Sequence, residues 1–326
     1  MTPIMWSTPI ETKNFTKKLH HDDSFLTIGS CFAENIGSQL VKRKIKTVIN
    51  PLDISYNPIS LSNQLKYLSG DKVIDQEKIG VQDGVFFHDD FHSNFNALTK
   101  SELLKNLKSA ITFDQNLLKT SRTIIISLGT AWVHRSIKTK EIVNNCHKQP
   151  AQLFSKELLS LENVTNAFST FCQTFTNTHI IFTVSPIRHM KEGFSNNQLS
   201  KATLRLAINL LEKSFENVSY FPSYEIMLDE LRDYRFYDKD LLHPSQEAVD
   251  YIFDSFIQRC FEQDSMHYFE EIGRLLRDVN HKPLLPGQAK HQVFIKKTLI
   301  KLDAFSDKYP NVSFAREREN LESQLV

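Results

Sequence analysis

Several scarcities frame this chain of 326 residues. Cysteine is scarce: Cys31, Cys146, Cys172 and Cys260 are widely scattered, with no C-x-x-C pair, which speaks against a disulfide scaffold and a zinc ribbon. Reduced thiols are the default for such a set. Glycine is scarce too, 9 residues against 24 Phe, and this argues for bulky packing over low-complexity chain. Excess charge of either sign is missing. The 39 Lys and Arg nearly balance the 38 Asp and Glu, leaving +1 and no long-range field to attract nucleic acid or an anionic membrane. No apolar run reaches the roughly 18 residues of a membrane span, and Met1 to Lys18 lacks the apolar stretch of a secretory leader. Together these absences predict a cytoplasmic protein with no membrane span and no nucleic-acid partner. G-x-G-x-x-G after a strand, G-x-x-x-x-G-K-[ST] and G-x-S-x-G are absent as well. Dinucleotide and P-loop chemistry and an ordinary α/β-hydrolase elbow therefore lose support, and no cofactor is expected.

What is present alternates between strand-like and helix-like patterns. Ser24 to Ile28 is a short apolar run, followed by Ile36, Leu40 and Val41 at helical spacing within 33–41. Thr47 to Ile49 reads as strand, Asn50-Pro51 and Tyr56-Asn57-Pro58 as loop, and Ser60 to Leu68 as helix. Val73 to Asn96, with Phe86, Phe87, Phe91 and Phe95 among His88, His92 and Asp residues, reads as a hairpin or lid. A helix is predicted from Lys100 to Leu118. The β-branched run Thr123 to Ser127 then has the composition of a strand buried on both faces. Further helices are expected over Ser155–Thr176, Gln198–Phe215 and Gln246–Cys260, with strands at His179–Val184 and Val218–Phe221. This order implies βαβ units, a mainly parallel central sheet and helices on both faces. The basic run Lys42 to Lys46 falls at a helix end, where cations suit the dipole. The α/β domain is assigned to 1–263. Residues 264–326, with a break at Pro283 and Pro286, form a C-terminal helical accessory segment that covers a sheet edge or builds a dimer contact, so a homo-oligomer stays open.

Ligands of open parallel sheets bind beyond the carboxyl ends of the strands, so the strand exits are where chemistry is sought. At Gly29-Ser30-Cys31, glycine permits a tight turn, and the residue that starts the next helix meets its N–H groups and positive dipole end. Either Cys31, whose thiolate such a setting favours, or Ser30, which needs a base, is a candidate nucleophile. A plain small-residue turn under the sheet is the bland alternative. Asp240 and His243, three apart before Pro244, suit a carboxylate that orients an imidazole for general-base work, although Pro244-Ser245 also has the look of a helix entry. Asn145-Cys146-His147-Lys148 and Arg188-His189 form two further polar clusters. Lys148, Arg188 and His189 would suit a substrate carboxylate or phosphate, or form ordinary surface ion pairs. Cys146 beside His147 has no spaced partner pair, and His88 and His92, four apart, have no helix-forming context, so no metal is assigned.

These residues carry a resemblance. Gly29-Ser30-Cys31-Phe32-Ala33 resembles the signature of the GSCFA family, a branch similar to the GDSL or SGNH hydrolases. Tyr56-Asn57-Pro58, Leu128-Gly129-Thr130-Ala131-Trp132, Asn145-Cys146-His147-Lys148, Ser185-Pro186-Ile187-Arg188-His189, Ser200-Lys201-Ala202-Thr203-Leu204, Asp240-x-x-His243-Pro244-Ser245 and His281-Lys282-Pro283 extend it over most of the chain. The resemblance implies a three-layer SGNH-hydrolase-like fold and acyl-ester chemistry, by an esterase-like hydrolase or an acyltransferase acting on a small-molecule or carbohydrate acyl substrate through an acyl-enzyme. His243 is then the base and Asp240 its partner. The register puts Cys31 in the nucleophile's place, with Ser30 second. Gly29, Asn57, Gly129, Thr130, His147, Arg188 and His189 are the expected substrate-binding set. The superfamily's Gly-x-Asn falls on Gly129-Thr130-Ala131, so an oxyanion donor is missing and Asn57, Thr130 or backbone N–H groups must replace it. A non-catalytic binding module on the same scaffold is the alternative.

Overall fold

The computed structural model describes residues 7–10, 15, 17–113, 116–282 and 288–325. The break at Pro283 and Pro286 and most of the residues before Phe15 lie outside them.

The centre is a five-stranded, wholly parallel sheet of β1 (Phe25–Gly29), β2 (Thr47–Ile49), β5 (Thr123–Leu128), β9 (His179–Val184) and β10 (Val218–Tyr220), in the order β10-β9-β5-β1-β2. In β5 and β9 every residue is buried, as the β-branched runs require when helices cover both faces. Side chains alternate strictly between those faces. Ile124, Ile126, Ile180 and Phe182 join one core, with Leu61 and Leu65 of α2 (Pro58–Ser69), Phe168 of α5 (Leu161–Thr174) and Leu204 and Ile208 of α6 (Gly193–Ser214). Ile125 and Ile181 join the other, with Phe32 and Ile36 of α1 (Cys31–Lys42) and Phe253 and Phe256 of α8 (Gln246–Cys260). A fully buried Phe or Ile contributes about 1.5–3 kcal/mol, so these two layers hold the sheet that presents the strand exits. The architecture is α/β in three layers.

The C-terminal helices α9 (Gln263–Val279), α10 (Ala289–Lys308) and α11 (Ala315–Glu322) do not stand apart. Tyr268, Ile272, Ile295, Leu302 and Leu321 belong to the same core as α1 and α8. Lys44, from the basic run, pairs with Glu317 of α11 at 2.5 Å, and Arg43 lies over the Phe253 ring at 4.4 Å. That run is a helix terminus built into packing. Among the described residues no helix is long and apolar enough to cross a membrane.

Two expectations need correction. The helix predicted over Lys100–Leu118 is α3 (Lys100–Thr112), with a separate short α4 (Leu117–Thr120). The helix predicted from Ser155 begins only at Leu161, because Phe154–Leu158 is a strand, β8. It pairs antiparallel with β6 (Trp132–Ser136), which also pairs with β7 (Ile142–Val143), in a three-stranded sheet beyond the exit of β5. The aromatic stretch at 73–96 does hold a hairpin, β3 (Ile79–Gln82) with β4 (Val85–His88).

Candidate active site

The strand order reverses direction at β1: the chain passes to β2 on one side, then returns to β5 on the other. Such a switch opens a crevice at the carboxyl ends of the two strands. A cavity of about 410 Å³ lies there, and Ser30, Cys31, Asn57, Thr130, Arg188, His189 and His243 all line it. The fold thus brings residues from four distant exits to one place.

The turn after β1 is set by Gly29. Its φ of +134° is a conformation L side chains rarely adopt, and a Cβ there would stand 2.2 Å from the Ser127 carbonyl oxygen. Its N–H donates to Asn50 Oδ1 at 2.8 Å, and Ser30 N–H donates to the Ser127 carbonyl oxygen at 3.1 Å. Ser30 is the N-cap of α1: its Oγ accepts from Phe32 N–H at 3.2 Å and lies 2.9 Å from Ser127 Oγ. With 1% exposure its hydroxyl is committed to structure. Cys31, the first helical residue, is partly exposed, and its Sγ lies 3.6 Å from the Tyr56 hydroxyl.

His243 comes from the loop before α8. Its Nδ1 donates to Asp240 Oδ2 at 2.5 Å, which leaves Nε2 as the basic nitrogen. Asp240 Oδ1 also accepts the backbone N–H of His243 at 2.9 Å and of Leu242 at 2.8 Å. These two donors, His243 first, and then the ring hold the Asp240 carboxyl down at about 2. Asp240 orients the ring from outside the cavity wall. Side-chain exposures of 48% for His243 and 45% for Asp240 make this the open side of the site.

Arg188 is occupied. Its Nη2 donates to the Leu241 carbonyl at 2.5 Å, its backbone N–H donates to the Leu242 carbonyl at 3.2 Å, and its guanidinium lies 4.2 Å from the Tyr237 ring centroid. It ties down the loop that carries the Asp240–His243 pair. His189, which burial pulls down to about 4, is a neutral imidazole edge-on to Tyr56, with centroids 5.9 Å apart. Two expected binding residues stand back from the cavity: Gly129 approaches Tyr56 with its backbone, and His147 stacks on Phe87 at 4.4 Å and bonds the His88 carbonyl oxygen at 3.1 Å. His147, pulled down to about 4 by burial, belongs to the hairpin's packing. Asn57 is the N-cap of α2, its Oδ1 accepting from Ser60 N–H at 2.9 Å.

Three participants escaped the expected set. Tyr56 and Trp132 line the cavity. Lys201, 1% exposed, donates its ammonium protons to the carbonyls of Gly129 at 2.8 Å and Ser185 at 2.7 Å, tying two strand exits together; burial pulls it down to about 7. A signal for it existed, since Asn197, Lys201, Leu204, Ile208 and Leu211 recur on one helical face, all buried. As to metals, the described residues offer one group of three ligand side chains, His20, His21 and Asp22, which precedes β1 at the opposite end of the sheet from the cavity.

Fold and site together define a three-layer α/β protein with a thiol, an imidazole and a carboxylate gathered about one cavity at the sheet's switch point. The chain belongs to the GSCFA family: the GSCFA family model matches residues 24–256, and the model of the GSCFA domain protein, C-terminal domain, matches residues 272–326. Among curated proteins no sequence matches it.

Proposed function

We propose that this chain is an SGNH-like acyl-transfer enzyme, a hydrolase or acyltransferase, that works through an acyl-enzyme on Cys31. The observation that carries the reading is that Cys31 and His243 open onto the same cavity while Asp240 holds the imidazole from behind. His243 Nε2 takes the thiol proton as sulfur attacks the carbonyl carbon, and returns it to the departing alcohol. Water or a second hydroxyl then resolves the thioester. Ser30 ranks below Cys31 because its Oγ is engaged by Phe32 N–H and Ser127 Oγ. Negative charge on the reacting group also gains from the start of α1, where the first N–H groups have no partner within the helix. Trp132, Val143 and Ile187 give the cavity apolar wall beside polar Asn144 and Thr130, a surface suited to an acyl group on a small-molecule or carbohydrate carrier. All four cysteines are free thiols, in keeping with a reducing compartment such as the cytoplasm.

The test is a panel of small acyl esters and thioesters at neutral pH, read by product release and by the mass of the acylated protein. Wild type should form an adduct on Cys31, and Ser30→Ala should keep it. Cys31→Ser should lose the thioester, and His243→Ala should slow turnover by about 10²–10⁴. Full activity in His243→Ala would sink the mechanism. One observation favours a second reading, a binding module: the residue at the expected oxyanion position is Ala131, and its N–H is already given to Ser200 Oγ at 2.7 Å. Lack of turnover together with an unreactive Cys31 thiol would select that reading.

A further inference from the structure

Acyl chemistry needs donors where charge develops on the carbonyl oxygen, and the side chains expected to replace the missing amide are already engaged. The N–H groups of Gly129 and Thr130 both donate to the Tyr56 carbonyl oxygen, at 2.8 and 3.0 Å. Thr130 Oγ1 accepts from Trp132 N–H at 3.0 Å and lies 3.1 Å from Ser200 Oγ. The Asn57 amide folds back on Ser60, its Nδ2 donating to Ser60 Oγ at 2.9 Å as its Oδ1 accepts from the N–H. Thus Asn57, Thr130 and, among the backbone groups, the N–H donors of 129–131 serve structure.

The side-chain group that lies directly against the sulfur is the phenol of Tyr56. Its hydroxyl is 3.6 Å from Cys31 Sγ, and the residue lines the cavity. In a tetrahedral adduct the oxygen sits on the carbon that sulfur has attacked. A hydroxyl that is hydrogen-bonded to the sulfur at rest therefore lies within reach of that oxygen, where donors act from about 2.7–3.1 Å. The residue is also held still. Its own carbonyl is clamped by two N–H donors from the exit of β5, and its ring is braced edge-on by His189. Burial, then Cys31 and the nearby carboxylates of Glu34 and Asp53, raise the phenol above its usual range, so it keeps its proton.

We infer that Tyr56 is a catalytic residue whose hydroxyl donates to the carbonyl oxygen attacked by Cys31, the task that Ala131 cannot perform. This rests on the acyl-enzyme reading above. As the S–C bond forms, the carbonyl π pair moves to oxygen and the thiol proton passes to His243; Tyr56 keeps its proton and only lends a hydrogen bond. On collapse the pair returns, the bond to the leaving alcohol breaks, and that alcohol takes the proton from His243.

The test compares two reactions of Cys31 in the full chain: acylation by 4-nitrophenyl acetate, which builds an oxyanion, and alkylation by iodoacetamide, which builds none at that place. Tyr56→Phe should lower the ratio of acylation to alkylation by about 10²–10³, with the alkylation rate reporting an intact thiol. A ratio within threefold of wild type overturns the inference. Should the Phe variant fold poorly, 3,5-difluorotyrosine at position 56 keeps the ring, and its more acidic phenol should make acylation fail at lower alkaline pH than in wild type; an unchanged profile counts against Tyr56. Absence of any acyl adduct on wild-type Cys31 is a separate result, which removes the acyl-enzyme reading itself.

Discussion

The two halves of the site are built in opposite ways. The Cys31 side is enclosed: Gly29 N–H is held by the Asn50 side chain, Ser30 and Tyr56 by backbone hydrogen bonds to the end of β5, and Lys201 locks the exits of β5 and β9 from below. The His243 side is an open loop, with Asp240 and His243 each nearly half exposed and Leu241 at a φ of +58°. What steadies it is Arg188, through two hydrogen bonds and the Tyr237 ring. The contrast teaches that the sheet can preorganise one wall of a site while a surface loop delivers the other, which for the proposed proton transfer would put thiol and imidazole on unlike supports. Mutations on the two sides should therefore fail differently, through stability on the first and through alignment on the second.

The sharpest way to break that contrast is Gly29→Ala. Backbone strain of about 1–3 kcal/mol adds to the collision with the Ser127 carbonyl oxygen, 2.2 Å from the new Cβ. We expect a large fall in melting temperature and loss of the cavity; a stable, folded variant would show that the turn is not rigid. Next comes Arg188→Met, which should leave the melting temperature of the sheet core nearly unchanged but lower turnover by about 10–10², the scale of a 1 Å misplacement. If turnover survives, the loop does not depend on Arg188. A smaller effect is expected from Asn57→Ala, which removes the cap of α2 and costs about 1 kcal/mol in a denaturant titration, with turnover otherwise retained. A deep loss of turnover with full stability would instead give Asn57 a direct role at the reacting centre.

The smallest effect is a pH dependence on the open side. Asp240 is held at about 2 in the folded state against an ordinary 3.8, so its contribution to stability is fully present above the ordinary value. It is lost as pH falls through about 2. The stability difference between wild type and Asp240→Asn should therefore hold at neutral pH and shrink only in that acid window. A difference that vanished already near neutrality would mean that the Asp240 carboxylate is not held by its N–H donors.

Legibility in the sequence followed the range of the interactions. Thr123–Leu128 and His179–Val184 were readable because a strand covered on both faces must be apolar throughout, and α8 because Ser245 caps a regular apolar stripe. Phe154–Leu158 escapes a sequence reading because only its pairing with Trp132–Ser136 makes it a strand; all five of its residues are half-buried or exposed in ways helix and strand share, and its partner is some way back along the chain. At the site, the need for glycine at position 29 and a carboxylate three residues before His243 could be read from the chain. His147, by contrast, reads as a substrate group, but the folded chain uses it as packing against Phe87, and Arg188, which does line the cavity, also ties down the 240–243 loop.

By itself, then, the sequence determined the alternation of strands and helices, the tight turn at Gly29-Ser30-Cys31 and the local pairing of Asp240 with His243, since each depends on neighbours within a few residues. Only the tertiary structure decided that Ser30 is buried and engaged by Ser127 while Cys31 stays partly exposed at the cavity, and that Lys201 lies buried beneath two strand exits. It alone set the Tyr56 hydroxyl against the sulfur. The physical reason is that burial and hydrogen-bond satisfaction belong to a residue's surroundings in space, and those surroundings come from segments the chain brings together only on folding.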